Sequence, residues 1–212
     1  MTGGFLIIIA ASWWFADIVE DILTRDLLTV VDTQVAQWFH DRATPTLTAA
    51  AIVITFLGSP PFVGGMSVAV ALFLAWRHSW NRLLALVMTM GGGTLLIILL
   101  KAFFQRNRPT FEKPLITLTS YSFPSGHVMG ATLLFGLIAF MVATYLDAWV
   151  WRIVSILLAV LFVLLIALTR LYLGLHYFSD VLGAAAAGLA WLAFSLIAVE
   201  IFLPGTRTYQ RV

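Results

Sequence analysis

Four stretches of this chain run almost without a polar interruption: residues 83–100, 128–146, 153–169 and 181–199. Each has close to the ~20 residues that carry an α-helix across a hydrocarbon core about 30 Å thick. A fifth span, 62–76, is shorter and gains length from Pro60 and Pro61, which suit a first helical turn. The N-terminal stretch MTGGFLIIIAASWW lacks the basic n-region and cleavage site of a signal peptide, so a retained first membrane helix is expected over 3–22. Residues 46–56 cannot extend the 62–76 helix, because the pair would exceed the core and Gly58-Ser59-Pro60-Pro61 breaks them. They are expected to lie at the interface or dip into it. Before them, VVDTQVAQWFHDR gathers Val31, Val35, Trp38 and Phe39 on one helical face, with Asp32, Gln34, Gln37 and Asp41 mostly elsewhere, the pattern of an interfacial helix. The expected fold class is therefore all-α: a polytopic bundle of six transmembrane helices in a single domain over 1–212, with interfacial helices between the first and second spans.

Composition agrees with a bilayer as solvent. Of the 212 residues, 61% are hydrophobic and 10% are charged. The net charge is +2 and its basic residues are scattered, which argues against a nucleic-acid partner. With no cysteine, disulfides, thiolate catalysis and zinc–thiolate sites are excluded. Arg77, Arg82, Arg152, Arg207 and Arg211 fall on one side of the membrane if the termini share it, against Arg25, Arg42, Arg106 and Lys113 on the other, with Lys101, Arg108 and Arg170 set aside as possible site residues. That small excess places the termini in the cytoplasm. Trp76, Trp80, Trp149 and Trp151 mark the interface at the same end.

The opposite end carries a less ordinary set. Lys101 closes the third span, Arg108 follows in the loop, and His127 opens the fourth. Arg170 closes the fifth, and His176 and Asp180 open the sixth. A single Lys or Arg at a helix end usually snorkels to water, and a single His there is usually structural. Three cations, two histidines and an aspartate at one end of a bundle ask for a shared ligand. Converging cations suit a phosphate. In YSFPSGHVMG, Pro124 keeps Phe123 extended, so a helix is expected to start near Ser125. Its free N–H groups, the Ser125 hydroxyl and the bare backbone of Gly126 would cradle an anion beside His127. His176 and Asp180 are spaced i, i+4 and share a helical face. The carboxylate would hold the imidazole in one tautomer, and the two histidines would divide the labour, one attacking phosphorus and the other protonating the leaving oxygen. Spacing alone does not decide which is which, although the Asp180 partner favours His176 as nucleophile. One nearby carboxylate is too few for a two-metal site. Asp17, Glu20 and Asp21 could share a face and attract a cation, though a solvated helix end explains them as well.

Lys101 with Arg108-Pro109 (K-x6-R-P), Pro124-Ser125-Gly126-His127 (P-S-G-H) and Arg170 with His176 and Asp180 (R-x5-H-x3-D) resemble the three signature motifs of the type-2 phosphatidic acid phosphatase superfamily. The resemblance covers roughly residues 82–200. It departs at Thr169, where the family usually has Ser. It implies a six-helix bundle with its site near the outer leaflet of a membrane, such as the bacterial inner membrane. It also implies a phosphohistidine on His176 assisted by Asp180, with His127 as general acid and no metal or other cofactor. Lys101, Arg108, Ser125, Gly126 and Arg170 would bind the phosphoryl oxygens.

Within that family the compact chain looks most like phosphatidylglycerophosphate and undecaprenyl pyrophosphate phosphatases, and phosphatidic acid also fits the motifs. The expected partners are a lipid phosphate substrate and membrane lipids, with no obligate protein partner. A competing reading is a transporter or channel using the polar cluster as a substrate or ion site, with Gly91-Gly92-Gly93 as a hinge. Close helix packing explains that triplet as well.

Overall fold

A computed structural model describes residues 2–202, and the regular structure among them is helical throughout. Arg207 and Arg211, which entered the charge comparison, lie outside the described residues. The helices are α1 (Thr2–Thr24), α2 (Leu27–Asp41), α3 (Pro45–Phe56), α4 (Pro60–Trp76), α5 (Trp80–Val87), α6 (Gly93–Phe104), α7 (Gly126–Tyr145), α8 (Trp149–Tyr172) and α9 (Phe178–Phe202). A π-helical turn, Met88–Gly92, joins α5 to α6. Six helical segments are long and apolar enough to cross a membrane: Thr2–Thr24, Pro45–Trp76, Trp80–Phe104, Gly126–Tyr145, Trp149–Tyr172 and Phe178–Phe202.

The bundle is built around α7 and α9. On α7, Val128, Met129, Ala131, Leu133, Leu134 and Leu137 are all buried. The small residues of α9 let its neighbours close in: a Cβ on Gly183 would lie 2.6 Å from Phe123, and one on Gly188 3.0 Å from Thr132. The Ala- and Gly-rich stretch of the sixth span is thus spent on packing within the chain. By contrast α8 presents Leu157, Val160, Leu161, Leu164 and Leu168 outward, the face of a helix solvated by lipid.

The break between 46–56 and 62–76 is present. Thr44 caps α3, accepting from Leu47 N at 3.4 Å, and Ser59 caps α4, accepting from Phe62 N at 3.4 Å with Pro60 and Pro61 behind it. The 32 residues of Pro45–Trp76, which span α3, the break and α4, would reach about 48 Å if straight, well beyond the core. Instead α3 leans on the end of α8. Thr44 N donates to Tyr172 Oη at 2.9 Å, and one helix end further on a Cβ at Gly58 would strike Ile166 at 2.7 Å and His127 O at 3.1 Å. Gly58 is therefore the close approach that seats this break against the start of α7.

Two expectations need correction. The third span is not a continuous α-helix, since five of its residues wind into the π turn, leaving Gly91 beside open space. Gly92 and Gly93 do pack closely: an added Cβ would lie 2.3 Å from Trp191 and 2.2 Å from Leu133, respectively. The second correction concerns α2. Its buried face is Asp32 and Ala36, with Val35 and Phe39 against the core, whereas Trp38 is half exposed. An aspartate assigned to the polar side of an interfacial helix points into the protein.

Candidate active site

Every helix end that carries a candidate residue meets at one end of the bundle. A cavity of about 750 Å³ opens there, and Lys101, Arg108, Gly126, His127, Arg170 and His176 line it. Deeper in the bundle its walls turn apolar, with Val63 and Gly64 of α4, Met90 and Gly91 of the π turn, and Ile97 and Ile98 of α6. Ser125 and Asp180 are fully buried behind the lining. They are tied to each other, since Ser125 N donates to the Asp180 backbone carbonyl at 3.1 Å, joining the start of α7 to the start of α9.

The cations are held from behind. Gln105, in the left-handed region at φ 44°, ends α6 one turn after Lys101, whose Nζ donates to Tyr121 O. Arg108 donates from Nε to Ser120 O at 2.7 Å and from Nη2 to Ser120 Oγ at 3.0 Å, and Nη1 also donates to Leu175 O. Arg170 is buried at the end of α8 and donates from Nη1 to Thr55 Oγ1 of α3 at 3.1 Å. Arg170 Nε and Ser125 Oγ are buried without a hydrogen-bond partner among the described residues. Such groups gain from an anion's oxygens, because a buried donor left unpaired costs about 1–3 kcal/mol. At the mouth of α7, a Cβ on Gly126 would meet only Ile97, at 3.8 Å, so the backbone there is bare toward the cavity. Thr169 takes no part: its hydroxyl donates to Ile166 O at 2.6 Å, within its own helix.

His176 stands between a cation and a carboxylate. Its Nε2 is 3.2 Å from Arg108 Nη1, and its Nδ1, buried and outside hydrogen-bond geometry, is 3.4 Å from Asp180 Oδ2. Arginine can only donate, so Nε2 is the accepting nitrogen and the ring proton belongs on Nδ1, facing Asp180. Burial pushes His176 down to about 4 against the upward pull of Asp180, keeping the ring neutral near pH 7. Asp180 Oδ2 also accepts from Tyr177 N at 2.8 Å, and the carboxylate sits in the first turn of α9, where the helix dipole favours it.

A family model, the PAP2 superfamily, matches residues 82–202, which carry all three motifs and most of the cavity wall. The chain belongs to the PAP2 superfamily. Among curated proteins, phosphatidylglycerophosphatase B of Bacillus subtilis (strain 168) is 36% identical over 156 residues, 72% of this chain and 74% of that protein. Among solved structures, a transmembrane PAP2-type phosphatidylglycerolphosphate phosphatase from Bacillus subtilis aligns with a TM-score of 0.82 at 27% identity. The match covers 96% of this chain and 98% of that one. LpxE of Aquifex aeolicus shares the fold, with a TM-score of 0.59 at 23% identity over 78% of this chain and 94% of its own. The first of these structures extends the likeness to α1–α4, before the segment matched by the family model.

Three residues escaped the sequence reading. Arg106 is no ordinary loop cation: it donates from Nη1 to Asp180 Oδ1 at 2.7 Å and from Nη2 to Asp32 Oδ2 at 2.7 Å. Burial works against its charge, yet Asp180 and Asp32 outweigh that and hold its pKa above the usual value. Asp32 also accepts from Ser179 N at 2.8 Å and Ser179 Oγ at 2.5 Å. Removing one member of such a buried ion pair costs about 3–5 kcal/mol. Thr55, which holds Arg170, was likewise invisible as a site residue. The only signal for Arg106 and Asp32 was charge near a membrane helix, which ordinary interfacial residues share.

Proposed function

We propose that this integral membrane protein is a lipid phosphatase that works through a phosphohistidine on His176, without a metal ion. One observation carries the reading. His176 lines a cavity walled by Lys101, Arg108 and Arg170 and the bare start of α7, with Arg108 on its Nε2 and Asp180 behind its Nδ1. Among the described residues no three metal-ligating side chains converge, Asp17, Glu20 and Asp21 included.

The phosphate lies among the three cations and the N–H groups of Gly126 and His127, which oppose the charge gathering on its equatorial oxygens. Arg108 turns to those oxygens and releases the Nε2 lone pair. Nε2 attacks phosphorus, the bond from phosphorus to the lipid oxygen breaks, and that oxygen takes the proton of His127. Asp180 stabilises the ring as its charge grows. Water then attacks phosphorus, giving a proton to His127, and the P–N bond breaks to release inorganic phosphate. The apolar arm of the cavity between α4 and α6 takes the near part of the lipid tail.

Phosphatidylglycerophosphate is the first substrate to test, because the relatives found by sequence and by structure carry that activity in their names. The site faces the outer side of the bacterial inner membrane, with the termini in the cytoplasm. The reading is supported by the small excess of basic residues that Arg77, Arg82, Arg152, Arg207 and Arg211 give the opposite end once the site cations are set aside.

The test is phosphate release in detergent with excess EDTA, comparing wild type with His176→Ala on phosphatidylglycerophosphate, phosphatidic acid and undecaprenyl pyrophosphate. EDTA-resistant release abolished by the substitution is expected. Release that survives the loss of His176 would remove it as the nucleophile.

A further inference from the structure

The catalytic dyad has a second layer that the three motifs do not contain. Asp32 of α2, Arg106 of the loop and Ser179 of α9 form a buried cluster around the side of Asp180 that faces away from His176. The four exchange five hydrogen bonds: Arg106 to Asp180, to Asp32 and to Ser179 Oγ, the last at 2.6 Å, and Ser179 N and Oγ to Asp32. Asp32 is 1% exposed, and Asp180 and Ser179 are fully buried. The guanidinium also lies over the Tyr177 ring, 4.6 Å from its centroid, which leaves it little freedom to turn.

Two carboxylates around one guanidinium leave one net negative charge behind the imidazole. That balance decides how much of Asp180 is available to His176. Without Asp32, the guanidinium keeps its bond to Asp180 but loses its second carboxylate, so its whole charge falls to Asp180 and draws that charge away from the ring. Without Arg106, Asp32 and Asp180 both lose the cation they share, and Asp180 loses the bond that fixes its Oδ1.

We propose that Asp32 and Arg106 are positioning residues for the phosphoryl transfer: Asp32 shares Arg106 with Asp180, fixing that carboxylate's orientation and its ionised state so that His176 keeps its proton on Nδ1 and its lone pair toward the phosphate. This rests on the assignment of His176 as nucleophile, but the ring's tautomer is measurable without turnover. The charged and titratable groups around the ring are Asp180 and Arg106 from behind, and Arg108, Arg170, Lys101 and His127 from the cavity side. Tyr177 and Asp32 complete the shell.

The experiment uses the full chain in detergent, labelled with ¹⁵N-histidine, with the His176 signals assigned by their loss in His176→Gln. Wild type, Asp32→Asn, Arg106→Gln and Arg106→Lys are compared after confirming that each remains folded by thermal unfolding. The account expects the Nδ1–H tautomer in wild type, a shift toward Nε2–H or a mixture in Asp32→Asn and Arg106→Gln, and partial recovery in Arg106→Lys. The same tautomer and the same titration in all four proteins would overturn it, whether or not they hydrolyse lipid.

Kinetics on phosphatidylglycerophosphate supplies the second readout. In Asp32→Asn, kcat falls by about tenfold to a hundredfold with KM little changed, as when a group orienting a functional histidine from behind is lost. In an Asp180→Asn background the same change adds little, because the effect runs through Asp180. Full additivity would reduce Asp32 to a merely structural residue. Wild type that shows the expected tautomer but no turnover of any phosphate ester would sink the phosphatase reading and leave the network standing.

Discussion

Gly126 sits where the first turn of α7 meets the cavity, and its nearest neighbour to an added Cβ is Ile97 at 3.8 Å. The protein itself therefore tolerates alanine there, and any penalty must come from the ligand. Gly126→Ala is expected to leave thermal stability unchanged and lower kcat/KM by about a hundredfold, the scale of losing one backbone donor from an anion hole. Equal activity would mean the phosphate does not approach this turn. His176 offers a second check. Burial favours its neutral form, so an NMR titration should find it unprotonated from pH 8 down to about 5, charging only as pH falls toward about 4. A midpoint at the ordinary histidine value near 6.5 would contradict the buried, lone-pair-bearing nucleophile. The motif residues were legible in the sequence because each is a polar or bare position at the end of an apolar run. Asp32 and Arg106 were not. Their partners lie 74 and 147 residues away along the chain, and helical periodicity alone puts Asp32 on the wrong side of α2.

At the level of helices, hydrophobic run length located five of the spans to within a few residues, since crossing the core leaves a chain little choice, whereas the second lies within the longer segment Pro45–Trp76. Run length carries no information about winding, so the π turn in the third span could not be read. Its consequence is local. The three glycines separate into Gly92 and Gly93, against Trp191 and Leu133, and Gly91, which lines the cavity. Gly92→Ala is expected to destabilise the fold by about 1–3 kcal/mol through overpacking against Trp191, measurable as a lower unfolding midpoint in detergent. Gly91→Leu should leave stability nearly intact but fill the apolar arm. Its KM for a long-chain lipid phosphate should rise, with hydrolysis of a water-soluble phosphomonoester unchanged. Equal effects on both substrates would place the tail elsewhere.

For the whole molecule, the placement of Lys101, Arg108, His127, Arg170 and His176 around one cavity follows from an even number of crossings between their helix ends, which the span count already required. Sidedness is less firmly written, because the charge excess is small and two of its arginines lie beyond the described residues. The absence of native cysteine makes it directly measurable. A single cysteine at Lys113, in the loop beside the site, is expected to react with a membrane-impermeant maleimide in intact cells, and one at Arg77 only after lysis. The reverse pattern would turn the protein over.

The central claim is the covalent step on His176. It is tested most directly by rapid chemical quench of the enzyme with lipid labelled with ³²P in its terminal phosphate, followed by analysis of the protein. The account predicts a protein-bound phosphate that is stable in base, labile in acid, and absent from His176→Ala. Turnover without any such species, or label carried by another residue, would contradict it.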